Sequence, residues 1–272
     1  MAELGDTGLD AALRRETAWR IGRARGMLFW LLPLVVVLGW SAARIKLSLI
    51  GLADGLPHMI DFLGRMFPPQ LSYFSLLWTP AIETVQIAAW GTVLAVVLSI
   101  PLALLAARNT SPNVVFYGAT RVFLNLLRSI NELIYALIFV SAVGLGPFPG
   151  VLAIALHATG MLAKFWADEM EHADRGQIEA LQAAGANRIQ VILFGIIPQV
   201  LPAAVGYILY RFDVSIRSAT VLGLVGAGGL GFSLITTMKL FKYHQTAACI
   251  LAIIVLVWAA DWISNRLRRR LL

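Results

Sequence analysis

Few residues of this chain are placed to do chemistry, and most of those lie inside apolar runs. The four histidines, His58, His157, His172 and His244, are scattered. No two have metal-ligand spacing, and neither H-E-x-x-H nor G-x-S-x-G occurs, so no metal site or nucleophilic centre is expected. Arg128 and Glu132 stand at i and i+4, a spacing that lets two side chains meet on one helical face. Asp213 and Arg217 repeat that spacing, which leaves Arg211 as an unmatched positive charge. A charge at membrane depth costs roughly 2.5–3.5 kcal/mol on insertion scales, so such groups face a partner or a cavity. Each pair therefore reads either as a lock between helices or as part of a path that opens and closes. Arg128, Lys164, Arg211 and Arg217 outnumber Glu132 and Asp213. That excess would concentrate anions, although Lys164 and Arg217 are long enough to reach the interfaces instead.

The elements that must position these groups are membrane helices. Hydrophobic residues make up 59% of the 272 and charged residues only 14%, against about a quarter charged in a soluble domain. Runs of about 20 apolar residues suffice to cross a bilayer. The reading is an all-α polytopic membrane protein with about six transmembrane helices, near 27–45, 76–106, 121–143, 147–166, 198–217 and 245–264. Residues 27–43 imitate a signal peptide, but the long basic leader and the multispan body favour an uncleaved first span. Residues 1–26 then form a basic N-terminal segment, 27–75 the first span and an outer loop, 76–265 the core, and 266–272 a basic tail. Pro101 inside the second span is expected to kink it. Residues 144–150 (GLGPFPG) read as a tight outer turn.

Charge sets the sidedness. Arg14, Arg15, Arg20, Arg23 and Arg25 precede the first run, and Arg266, Arg268, Arg269 and Arg270 follow the last. With both termini cytoplasmic, residues 108–121 and 167–197 fall on the same side, as the positive-inside rule requires. Beside apolar spans these clusters mark topology, and no nucleic-acid partner is expected. Cys249 is the single cysteine, so no intrachain disulfide can form. Gly226, Gly228 and Gly231 satisfy G-x-G-x-x-G, but they follow a membrane helix and no ribose-binding acid comes after them. A nucleotide site is excluded, and the glycines imply closely packed or cavity-lining backbone.

The polar stretch 167–197 is the most informative. Ile178, Leu181, Gln182 and Gly185 share one helical face, small and mildly apolar, suited to lying in a groove. Gly185 permits a sharp turn before a second helix at Ala186, and Pro198 opens the fifth span. Glu179, Ala180, Leu181, Gln182, Gly185, Ala186 and Pro198 together resemble the EAA motif of ABC-importer permeases. Leu181 stands where that motif has its second alanine, Gly195 where isoleucine is usual, and Ile197 where leucine is usual. Residues 128–132 (RSINE), 143–147 (VGLGP) and 209–231 resemble the membrane subunit of phosphonate ABC importers, a likeness running from about residue 80 to the C-terminus.

The resemblance implies a type I ABC-importer permease fold, a bacterial inner-membrane location and transport of phosphonates or related phosphorus oxyanions by alternating access. Phosphite or hypophosphite would fit the same architecture, and methionine less well. It implies a homodimer that works with two cytoplasmic ATPase subunits and an extracytoplasmic binding protein. ATP and Mg would be held by the ATPase and no cofactor by this chain. It makes residues 179–186 and Pro198 the ATPase-coupling loop. A translocation path or gate is expected at Arg128, Asn131, Glu132, Arg211, Asp213, Arg217, Ser218 and Thr220. The competing readings are an integral-membrane enzyme, which would need a cluster of acid–base groups, and a gradient-driven transporter, which would leave the docking loop without a purpose.

Overall fold

The computed structural model describes residues 30–31 and 33–271, and every regular element among them is helical. The basic leader, residues 1–26, and the start of the expected first span lie outside the described residues. The chain divides into two units, Met1–Phe62 and Leu63–Leu272.

In the first unit, α1 (Pro33–Arg44) is apolar but too short over its described length to cross a membrane. It ends in a tight corner. Lys46 takes φ +53°, Leu47 N donates to Ala42 O at 2.9 Å, and Ser48 Oγ accepts from Gly51 N at 3.0 Å to cap the next helix. That helix is α2 (Leu49–Met66), which runs on into the second unit. It replaces most of the outer loop expected over 46–75, because its apolar residues recur at helical spacing between two short linkers.

The second unit opens with a 3₁₀ turn (Leu71–Tyr73) and α3 (Phe74–Ala106), which continues through Pro80 and Pro101. α4 (Val114–Ser129) and α5 (Glu132–Val143) follow, then α6 (Pro147–Glu171), α7 (Arg175–Ala183) and the single turn α8 (Arg188–Gln190). A π-helical turn (Val191–Ile196) leads into α9 (Ile197–Leu222). α10 (Gly229–Lys239) and α11 (Tyr243–Leu271) complete the chain.

Among the described residues, four helical segments are long and apolar enough to span a membrane, and a fifth if the bent pair α4–α5 counts as one. The single span expected over 121–143 is therefore broken. Ile130 is extended, and Asn131 caps α5 by accepting from Leu133 N at 2.9 Å, so the two halves meet at 83°. The expected turn at 144–150 is likewise shorter, since α6 already begins at Pro147.

α3 and α6 form the central seam. Ala88, Ala95, Ala103, Ala153, Ala158, Ala163 and Ala167 are fully buried. A Cβ on Gly91 would lie 2.7 Å from Ile154 Cγ2 of α6. Small residues let helix backbones approach closely where lipid supplies no hydrophobic drive, which is why alanine and glycine dominate this seam. The glycine-rich stretch packs rather than binds: Leu230 N donates to Thr84 Oγ1 of α3 at 2.9 Å, and a Cβ on Gly229 would meet the same oxygen at 2.5 Å.

Candidate translocation path and coupling loop

Breaking the helix at Asn131 puts Glu132 in the first turn of α5, where the helix dipole favours a carboxylate. Its ion-pair partner is Arg211 of α9, at 3.0 Å, with the Arg211 side chain 3% exposed and that of Glu132 19%. Ser218, two turns further along α9, donates to the other carboxylate oxygen. Arg211 Nη1 rests on Met161 Sδ of α6 at 3.5 Å, and its Nε is buried without a partner. Two sequence expectations fall here. Glu132 does not pair with Arg128, and Arg211 is not unmatched.

Arg128 instead sits exposed on the last turn of α4, where its backbone presses against α6. A Cβ on Gly160 would lie 2.9 Å from Arg128 N. One turn further along α6, Lys164 Nζ donates to Asn125 Oδ1 of α4 at 3.3 Å. His157, half-buried on α6, lies with Nδ1 3.0 Å from Ile130 O, a packed, hydrogen-bonded position. Arg211 and Glu132 thus join α5 to α9 beside Met161 of α6, while Arg128 and Lys164 lie where α4 packs on α6.

Asp213 and Arg217 do pair at 2.6 Å, and Arg217 also reaches Asp261 of α11 at 3.3 Å. Thr220 Oγ1 donates to Arg217 O at 2.6 Å. Asp261 changes the charge tally, because Arg217 is more than neutralised and Arg211 is matched. The positive excess resides on Arg128 and Lys164.

The polar loop is built by caps. Asp174 accepts from Gly176 N at 2.9 Å to start α7, and Gly185 ends it with φ +84°, open space around its α-carbon. Asn187 and Gln190 then form a reciprocal capping box, so the second helix begins at Arg188 rather than Ala186. Glu179, Ala180, Gln182 and Gly185 are exposed, while Ile178, Leu181 and Ala186 turn inward. The expected docking face is therefore divided. Leu181 lies over the π turn, where a Cβ on Gly195 would be 2.8 Å from Leu181 Cδ1. The enlarged residue at 181 and the missing side chain at 195 are one compensated exchange. Pro198 stands in the first turn of α9.

Several residues that hold this loop were not singled out from the sequence. Arg188 Nη2 donates to Thr110 O at 3.1 Å and also to Ser111 O, joining the loop to the turn after α3. Asn109 Nδ2 donates to Met170 O at 2.5 Å in the same region. Gln199 accepts from Asp174 N at 2.8 Å and donates to Gly195 O at 2.7 Å, tying the start of α7 to the π turn. Arg121 pairs with Asp168 at 2.9 Å and Glu171 at 3.0 Å. A basic residue after the asparagine cap was the available signal for Arg188; the others depend on contacts far apart in sequence.

A membrane-embedded helical unit with small-residue seams, a buried ion pair and a polar loop between two long helices is the layout of a transport subunit. Residues 99–272 match the family described as binding-protein-dependent transport system inner membrane component, and the chain belongs to it. It is an integral inner-membrane transport subunit. It is 39% identical over 264 residues to the phosphite transport system permease protein PtxC of Stutzerimonas stutzeri, covering 95% of this chain and 96% of that one. The phosphate-import permease protein PhnE of Mycolicibacterium smegmatis is 37% identical over 87% of this chain and 44% of its own length. The fold is that of type I ABC-importer permeases. The inward-facing MetNI methionine ABC transporter superposes with a TM-score of 0.63 at 19% identity, over 75% of this chain and 99% of its own, a likeness of fold alone.

Proposed function

We propose that this chain is the permease of an ATP-driven importer of phosphorus oxyanions, with phosphite or a phosphonate as cargo. The observation that carries the reading is the 39% identity to a phosphite permease along nearly the whole chain. Two copies would pair, bind one ATPase each through the exposed Glu179, Ala180, Gln182 and Gly185, and receive cargo from a binding protein on the opposite side. Both termini and the coupling loop would face the cytoplasm. ATP and Mg belong to the ATPase, and this chain performs no covalent chemistry.

The path would run past both groups of charges. Arg128 and Lys164 would attract an oxyanion, and Arg211, with an N–H to spare, would be the buried cation that takes it up. A buried guanidinium stripped of its carboxylate costs about 3–5 kcal/mol. An oxyanion that takes the place of Glu132 removes that cost, so cargo stabilises the open arrangement of α5 against α9. Closure of the ATPases moves α7, and the bonds of Arg188 and Gln199 pass that movement to α3 and α9.

The test is ATP hydrolysis by the reconstituted complex with its binding protein and a ligand panel of alkylphosphonates, phosphite, hypophosphite, phosphate and methionine. Stimulation by phosphite or a phosphonate is expected. Stimulation by methionine alone, or no ATPase association, would overturn the reading.

A further inference from the structure

α2 has the pattern of a helix that lies in a surface rather than crossing one. At 100° per residue, Asp54, His58, Asp61 and Arg65 fall in one narrow sector. Leu56, Met59, Ile60 and Leu63 fall on the other side and are about half exposed or more, Ile60 reaching 69%. An apolar face of this kind on an 18-residue helix needs a cover.

The C-terminal end of α2 is tied by a short linker to a membrane span. At its start, Arg44 stacks on Trp40 at 5.5 Å, an aromatic–basic pairing of the sort enriched at headgroup level. Residues 45–48 then form the capped corner that starts α2, leaving no slack. At its end, Met66 is buried, and residues 67–70 lead directly into the span beginning at Leu71. This second linker is pinned: Gln70 N donates to His244 O at 3.1 Å, and His244 Nδ1 lies 2.8 Å from Pro68 O at the head of α11. Even fully extended, four residues reach about 14 Å. The C-terminal end of α2 therefore stays within about 14 Å of the head of that span.

We propose that α2 is an interfacial helix, lying in the boundary between headgroups and acyl chains of the leaflet at which the Leu71 and Tyr243 spans begin. Leu56, Met59, Ile60 and Leu63 insert, and Asp54, His58, Asp61 and Arg65 face water. With two acids against one arginine on that polar side, the attraction comes from apolar burial and not from anionic lipid. This is independent of the cargo.

The experiment uses the full transporter complex in nanodiscs of zwitterionic lipid, with buried Cys249 left in place. An environment-sensitive fluorophore is attached at Ile60→Cys or at His58→Cys. The probe at 60 is expected to emit to the blue and to be quenched several-fold more by lipid carrying a nitroxide near the headgroup than the probe at 58. Addition of the binding protein should change neither. Three outcomes would overturn the proposal. The probe at 60 could be quenched by aqueous iodide instead, as for a helix in water. It could be shielded from both quenchers, as under a second copy of the chain. Or it could be protected only once the binding protein is added, as for a docking surface.

Discussion

Glu132 and Arg211 lie 79 positions apart and meet in a part of the protein where neither charge could stand alone. Replacing one, as in Glu132→Leu or Arg211→Met, should cost about 3–5 kcal/mol, because the other is left buried and unpaired. The double replacement should recover most of that loss, as measured by thermal unfolding of the purified protein, yet still fail to transport phosphite. Normal transport by the double variant would make the pair a structural lock only. Arg188→Lys is the second residue-scale prediction. A lysine side chain is shorter and ends short of Nη2, the nitrogen that donates to both Thr110 O and Ser111 O, so uptake per ATP hydrolysed should fall several-fold while assembly is kept, read by co-purification with the ATPase. Of these contacts the sequence revealed only the local one. Asp213 and Arg217 share a helix and a four-residue spacing, whereas Glu132 was misassigned to Arg128 by the same rule. The correction was available in principle, since an asparagine followed by an acid marks a helix start.

At the scale of elements, the coupling loop rests on a pair of matched sizes. Gly195→Ile should overpack the π turn against Leu181 at a cost of about 1–3 kcal/mol and reduce coupled uptake. Leu181→Ala combined with Gly195→Ile should restore it, and a double variant worse than either single one would show that the two sites do not compensate. Gly185→Val has no steric neighbour to disturb, so its effect is backbone strain alone, about 1–2 kcal/mol at positive φ. That strain reorients α7 and should uncouple hydrolysis from uptake, while Gly185→Asn should be milder. The loop's caps were legible because Asp174, Gly185 and Pro198 act within a few residues of themselves. Its inward-facing side was not, because the π turn that receives Leu181 follows from no local spacing rule.

For the whole molecule, apolar run length located the starts of α3, α6, α9 and α11 to within two residues but ended the last three short of their C-terminal turns, since a bilayer fixes only how much chain must be apolar. It could not separate one span from two bent half-helices of the same total length, nor find α2, whose apolar residues are diluted by a polar face. The sidedness and the pairing of two copies belong to the proposed function, and labelling of Gln182→Cys from the ATPase side of sealed vesicles would check the first. The most direct measurement records ATP hydrolysis and uptake of labelled phosphite together, in proteoliposomes holding the complete transporter. Both should rise together when binding protein and phosphite are supplied, and Gly185→Val should leave hydrolysis while abolishing uptake. Phosphite uptake that proceeds without ATP, or an unchanged ratio in the Gly185→Val variant, would contradict the account.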